Sequence, residues 1–144
     1  MQEPELIENP RKNLEILVVD GDPVTRLLHQ NRLNRNLSFT ITECADGREA
    51  LDRIRQSPEM DYLVMLAIEM PGMDGWEFLK NLQSTPLKTQ VHVIMVTCSV
   101  SNSDKKVARR FPQVLDYFEK PLSDMHIHRI PHLPKLIPYF VSVN

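Results

Sequence analysis

Glycine is scarce in this chain, with four among 144 residues, and no glycine-rich loop of the kind that cradles a nucleotide phosphate can be found. Cysteine is rarer still. Cys44 and Cys98 stand far apart with no metal-type spacing, which excludes a disulfide framework and a thiolate metal cluster. Each falls at the end of a predicted strand, where a free, buried cysteine is the expectation. Lysine and arginine form no long block and the net charge is -2, so there is no general field for nucleic acid. No apolar run approaches the roughly 20 residues of a membrane span. The polar, acidic start (Gln2, Glu3, Glu5, Glu8) lacks the basic-then-apolar signal pattern. These absences predict a cytoplasmic protein that engages neither nucleic acid nor membrane. There is no internal repeat or low-complexity segment.

What is present is an alternation of strands and helices. After a polar lead-in over 1–13, residues 14–19 form a compact apolar strand stopped by Asp20-Gly21-Asp22. Asp22-Pro23 then opens a helix, with aspartate at the cap and proline at the first position. Val24, Leu27 and Leu28 supply its expected buried stripe, extended by Leu33 and Leu37. Residues 39–44 alternate as a partly exposed strand, and Asp46 with Glu49 resembles a capping box before a helix that buries Ala50, Leu51 and Ile54. A third strand covers 62–66 and a third helix 76–82. Residues 91–96 form a nearly continuous apolar strand, suited to the middle of a parallel sheet. A helix over 101–111, with Val107, Ala108 and Phe111 inward, and a strand over 114–118 complete the alternation.

This spacing predicts one α/β domain over 14–144, a flavodoxin-like (βα)5 doubly wound parallel sheet of five strands in the order 2-1-3-4-5. Functional groups then gather at the carboxyl ends of the strands. Pro131, Pro134 and Pro138 forbid one straight final helix, because an interior proline costs about 3 kcal/mol. A short helix or turn over 123–130, then a helix starting at or near Pro134, is the expectation. His126, His128 and His132 lack the donors to complete a metal site and are expected in a solvent-exposed loop. Met60, Met65, Met70 and Met73 suit core and loop packing, and Trp76 suits packing over the next helix turn.

Four features stand in order at strand ends: Asp20 with Asp22, the segment from Ala67 to Glu69, Thr97, and Lys120-Pro121. Together with the run Met73-Asp74-Gly75-Trp76-Glu77-Phe78-Leu79, they resemble the response-regulator receiver family, and its stand-alone CheY-like members in particular, over 14–122. The resemblance implies a domain of two-component phosphorelay signalling that exchanges signals with a histidine kinase, a phosphotransfer protein or a downstream output protein, and that is not itself an enzyme. It matches Ala67 to the aspartate that accepts the phosphoryl group. Asp20 and Gly21 match an acidic pair that holds Mg2+, and the backbone carbonyl of Glu69 matches a further metal contact. Thr97 matches the hydroxyl that turns to the phosphoryl group, Lys120 the cation that pairs with it, and Tyr117 an aromatic rotamer switch.

A methyl group neither attacks phosphorus nor holds a metal, so the expected chemistry is missing at Ala67. With glycine at position 21, a Mg2+ site would be weak or absent, resting on Asp20, Asp22 and Glu69. Asp20, Glu69, Thr97 and Ser99 are the remaining side chains that could take a phosphoryl group. A purely structural role for Thr97 and Lys120, with the lysine paired to Asp20, competes with any role in signalling. Two functions therefore stand side by side. One is a pseudo-receiver that works as an interaction module. The other is an otherwise functional phospho-accepting receiver whose aspartate has been replaced. A hydrolase or flavin protein on the same fold lacks a nucleophile-base pair and a phosphate loop.

Overall fold

The strands form because their residues are apolar on both sides, and the sheet they build is covered on both faces. The computed structural model describes residues 13–98 and 101–140. Five parallel strands run β1 (Leu14–Val19), β2 (Thr40–Cys44), β3 (Asp61–Leu66), β4 (Val91–Thr97) and β5 (Val114–Glu119), in the spatial order β2-β1-β3-β4-β5. This is the order expected from the alternation. Every residue of β1 and β3 is buried, whereas the edge strands β2 and β5 are largely half-exposed.

The period of two along each strand divides the interior into two cores. Leu17, Val64 and Met95 meet α2 (Gly47–Gln56) and α3 (Gly75–Ser84) on one face. Ile16, Leu63 and Ile94 meet α1 (Pro23–Asn36) and α5 (Asp124–Arg129) on the other. Each such side chain contributes about 1.5–3 kcal/mol by leaving water. The one charged residue inside β1, Glu15, is satisfied by two bonds from the Arg53 guanidinium, both 2.8 Å, and one from Thr42 at 2.7 Å. Burial pushes its carboxyl pKa up, but the Arg53 and Thr42 bonds outweigh that and hold it below the usual value.

Three expectations about facing are overturned. Val24, Leu27 and Leu28 are 63, 52 and 60% exposed; of the expected stripe Leu33 is buried, and His29 joins it in their place. The periodicity was right and its phase was not. His29 can face inward because its Nε2 accepts the Leu122 amide, at 3.3 Å. In α4 (Asn102–Ala108), Ala108 is buried, as is Phe111 just beyond it, but Val107 turns to solvent. Cys44 is buried, and its thiol is pushed up to about 12 chiefly by burial, whereas Cys98 is exposed one residue beyond β4.

The C-terminal chain is also more structured than a loop. His126 and His128 lie in α5, and His132 ends a 3-10 turn over Ile130–His132. His126 accepts the Ser123 amide through Nδ1 and stacks on Phe118 with ring centres 4.6 Å apart. The final helix, α6, is Ile137–Phe140, three residues later than expected. The buried Leu136 anchors a single helix-like turn in which its own N–H and that of Ile137 both bond Leu133 O, and regular helix is reached only at Ile137. Pro138 sits in the first turn of α6, where a missing N–H costs nothing. Of the lead-in over 1–13, only Asn13 belongs to the described residues, and Ser99 lies outside them.

Candidate functional site at the carboxyl edge of the sheet

Asp20 leaves β1 at the centre of this edge. Its N–H donates to Cys44 O (3.1 Å), which fixes the chain as it departs. The carboxylate is only 5% exposed, accepts the Asp22 N–H at Oδ1 (2.9 Å) and meets Lys120 Nζ at Oδ2 (2.6 Å). Asp22 does not join it. Its oxygens cap α1, accepting Val24 N–H (3.2 Å) and the Thr25 hydroxyl (2.7 Å), and the Thr25 hydroxyl is the main cause that lowers its pKa.

Gly21 lies beneath the loop that follows β3. A Cβ at this position would stand 2.7 Å from Pro71 Cδ, so a side chain here requires the proline ring and its backbone to move. A second glycine closes the same loop: a Cβ at Gly75 would be 2.4 Å from Ala67 O, so only glycine permits α3 to start so near β3. Asp74 and Glu77 cap that start reciprocally.

Ala67 is buried at the end of β3, its N–H bonded to Val19 O at 2.9 Å. Thr97 ends β4, and its carbonyl accepts the Lys120 N–H at 2.7 Å. Ala67, Glu69, Thr97, Cys98 and Lys120 line a common cavity of about 330 Å3, with Trp76 and Asp104 on its rim. Trp76 stacks on Phe111 at 6.4 Å. Asp20, Gly21, Asp22 and Tyr117 do not line this cavity. The Tyr117 hydroxyl donates to Lys105 O in α4 at 3.3 Å, and burial raises its pKa.

Residues 16–130 match the family described as the response regulator receiver domain. The chain belongs to that family. It is 32% identical over 95 residues to the gliding motility regulatory protein of Myxococcus xanthus, covering 66% of this chain and 12% of that protein. It is 30% identical over 118 residues to the two-component response regulator ORR26 of Oryza sativa subsp. japonica, covering 81% of this chain and 19% of the relative. The receiver thus spans under a fifth of these two curated relatives. A solved two-component response regulator from Cytophaga hutchinsonii shares its fold, with a TM-score of 0.73, 21% identity, and coverage of 88% of this chain and 98% of the other.

The receiver's donor set does not fit Mg2+. That ion takes near-octahedral oxygen ligands, usually including one or two carboxylates. Asp20 is already neutralised by Lys120, Asp22 is occupied as a helix cap, and Gly21 and Ala67 offer no side-chain oxygen. Among the described residues, no group of three His, Cys, Asp or Glu side chains could hold a metal.

Sequence reasoning missed a second concavity. A groove of about 690 Å3 separates α1 from the turn at Lys120-Pro121-Leu122, with Leu28, His29, Arg32 and Arg35 along its α1 side. Lys120 lines both the groove and the edge cavity. Of the apolar residues spaced for a helix face in α1, Leu28 lines this groove, and the spacing is equally consistent with an exposed face.

Proposed function

We propose that this receiver is a phosphorelay interaction module in which Ala67 stands at the acceptor position, so that it docks partners without being phosphorylated there. The observation that carries this is the Lys120–Asp20 ion pair at 2.6 Å beside a methyl group. In a phospho-accepting site the cation must be available to the acceptor and then to the phosphoryl oxygens. Here its charge is already spent, and no carboxylate stands at position 67. The contact of Pro71 with Gly21 supports the same view, since the loop occupies the space a second acidic side chain would need.

The exposed face of α1, with Leu28 lining the groove beside it, supplies the docking surface. Val24, Leu27 and Leu28 expose three large apolar side chains on one helix, and Met125 on α5 exposes a fourth. Of the basic residues lining the groove, Lys120 is paired with Asp20 and Arg32 with Asp124, whereas Arg35 makes no ion pair among the described residues. Such a surface suits an apolar helix stripe with acidic flanks, as a histidine kinase or phosphotransfer protein could present.

The test is a titration with Mg2+ and beryllofluoride, which mimics an acyl phosphate on an acceptor carboxylate, read by amide shifts and Trp76 fluorescence. No response is expected. A beryllofluoride-dependent shift near Thr97 and Lys120 would sink the proposal, because another carboxylate would then have taken over.

A second function is favoured by Thr97 and Lys120 lining one cavity with Ala67: an otherwise intact receiver lacking only its aspartate. Ala67→Asp alone should restore the beryllofluoride response in that case. A requirement for Gly21→Asp as well favours the interaction module.

A further inference from the structure

At the edge where β4 begins, opposite the Ala67 cavity, two concavities of about 270 and 110 Å3 share Gln90, His92 and Lys135. They form a seam between two parts of the chain. Gln90 and His92 stand at the start of β4, whereas Lys135, Pro138 and Tyr139 belong to the C-terminal segment. Lys135 is exposed and makes no ion pair among the described residues. Burial lowers the His92 pKa, so Lys135 is the charged side chain among those lining the seam at neutral pH. Pro138 and the Tyr139 ring, edge-on to His92 with ring centres 5.7 Å apart, supply an apolar wall. Gln113 lines the smaller concavity, and its Oε1 is the one buried side-chain nitrogen or oxygen without a hydrogen-bond partner among the described residues. Such an acceptor costs stability until a donor reaches it.

We propose that this seam binds a small aromatic carboxylate that carries a hydroxyl or amino donor opposite its acid group. The carboxylate pairs with Lys135 in a charge-assisted hydrogen bond. The ring lies against Pro138 and Tyr139, and the donor meets Gln113 once its amide turns toward the concavity. Both concavities fall below the roughly 300–1,000 Å3 of sites for drug-sized ligands, which selects a single-ring molecule. The buried Asp61 carboxylate does not compete for the cation. Its oxygens already accept from the Tyr139 and Thr89 hydroxyls and the Gln90 N–H, and it lines neither concavity. Because the walls come from β4 and from the tail, the ligand binds only while the tail is docked and stabilises that state.

The experiment titrates the full chain with para-hydroxybenzoate, benzoate and the uncharged para-hydroxybenzamide, read by amide shifts and hydrogen exchange. Saturable shifts centred on Gln90, His92 and Lys135 are expected for para-hydroxybenzoate. A ligand of about ten non-hydrogen atoms should bind at about 1 mM or tighter. At about ten times its dissociation constant, exchange in α6 should slow about tenfold. Benzoate should bind about threefold more weakly and the amide about tenfold more weakly. Lys135→Gln should weaken para-hydroxybenzoate about tenfold, whereas Lys80→Gln, the same charge change at an exposed position on α3, should leave it unchanged. In Gln113→Leu the difference between para-hydroxybenzoate and benzoate should vanish. Absence of saturable shifts, or shifts centred elsewhere, would overturn the site. Equal binding of the amide, or equal losses in the two lysine variants, would overturn the pairing with Lys135. A difference that survives in Gln113→Leu would overturn the donor contact, and unchanged α6 exchange would overturn the link to the tail.

Discussion

Lys120 Nζ and Asp20 Oδ2 stand 2.6 Å apart, joining the end of β1 to the turn after β5 across the middle of the carboxyl edge. The carboxylate is buried and the lysine stem is mostly covered, so neither charge is well solvated. Removing one partner strands the other. Lys120→Ala is expected to destabilise the fold by about 3 kcal/mol, the usual consequence of leaving a buried charge uncompensated. Asp20→Asn with Lys120→Met should recover much of that loss. Urea unfolding of the three chains checks both.

Gly21→Asp is expected to cost about 1–3 kcal/mol, because Pro71 must shift to admit even the Cβ. Ala67→Asp should cost less, since its carboxylate can share Lys120. The measurement is the unfolding midpoint of each single variant and of the double.

Acid should weaken the fold through its histidines. His29 has its pKa lowered chiefly by burial, and His92 and His126 are lowered for the same first reason. Neutral imidazole is required at His29, whose Nε2 accepts the Leu122 N–H. A lowered histidine pKa means the unfolded chain binds more protons between the folded value and about 6.5. Stability therefore rises with pH across that window and falls as pH drops below about 6.5. Unfolding at pH 5.5, 6.5 and 7.5 should show the slope, and His29→Gln should shallow it while leaving the His92 and His126 contributions.

Tyr139→Phe removes a donor from a buried carboxylate at the opposite edge of the sheet. The Tyr139 hydroxyl donates to Asp61 Oδ2 at 2.6 Å and lies 3.3 Å from His92 Nε2. Asp61 Oδ1 keeps the Thr89 hydroxyl and the Gln90 amide. The expected loss is about 1–3 kcal/mol, with amide exchange accelerated first in α6. Exchange that rises equally throughout the sheet would show that α6 does not open on its own.

The sheet was legible because β1, β3 and β4 are continuous apolar runs separated by helix-length segments, and a parallel order with right-handed crossovers follows from those two facts. The carboxyl-edge residues were legible as positions in that order. Their state was not. Whether Lys120 pairs with Asp20, whether Asp22 caps a helix, and how closely Pro71 lies over Gly21 all depend on three-dimensional approach. The phase of α1 was hidden for a different reason. Burial there follows a histidine that finds a backbone partner 93 residues away, and no local pattern announces it. The prolines forbid a long last helix, but the turn in its place is anchored by Leu136, which is buried while Leu133 is half-buried and Ile137 exposed, and the sequence does not tell these three apolar residues apart.

The route of that final segment sets a direction for the molecule. Tyr139 meets Asp61 and His92 at the edge where β3 and β4 begin, whereas Ala67 lies where β3 ends. A strand of this length separates the two poles by about 20 Å. A fluorescent reporter fused beyond the described C-terminal helix would therefore ride on the pole remote from Lys120. It would report detachment of the tail and stay remote from a ligand entering the carboxyl-edge cavity beside Ala67, so a sensor for that cavity has to be inserted elsewhere.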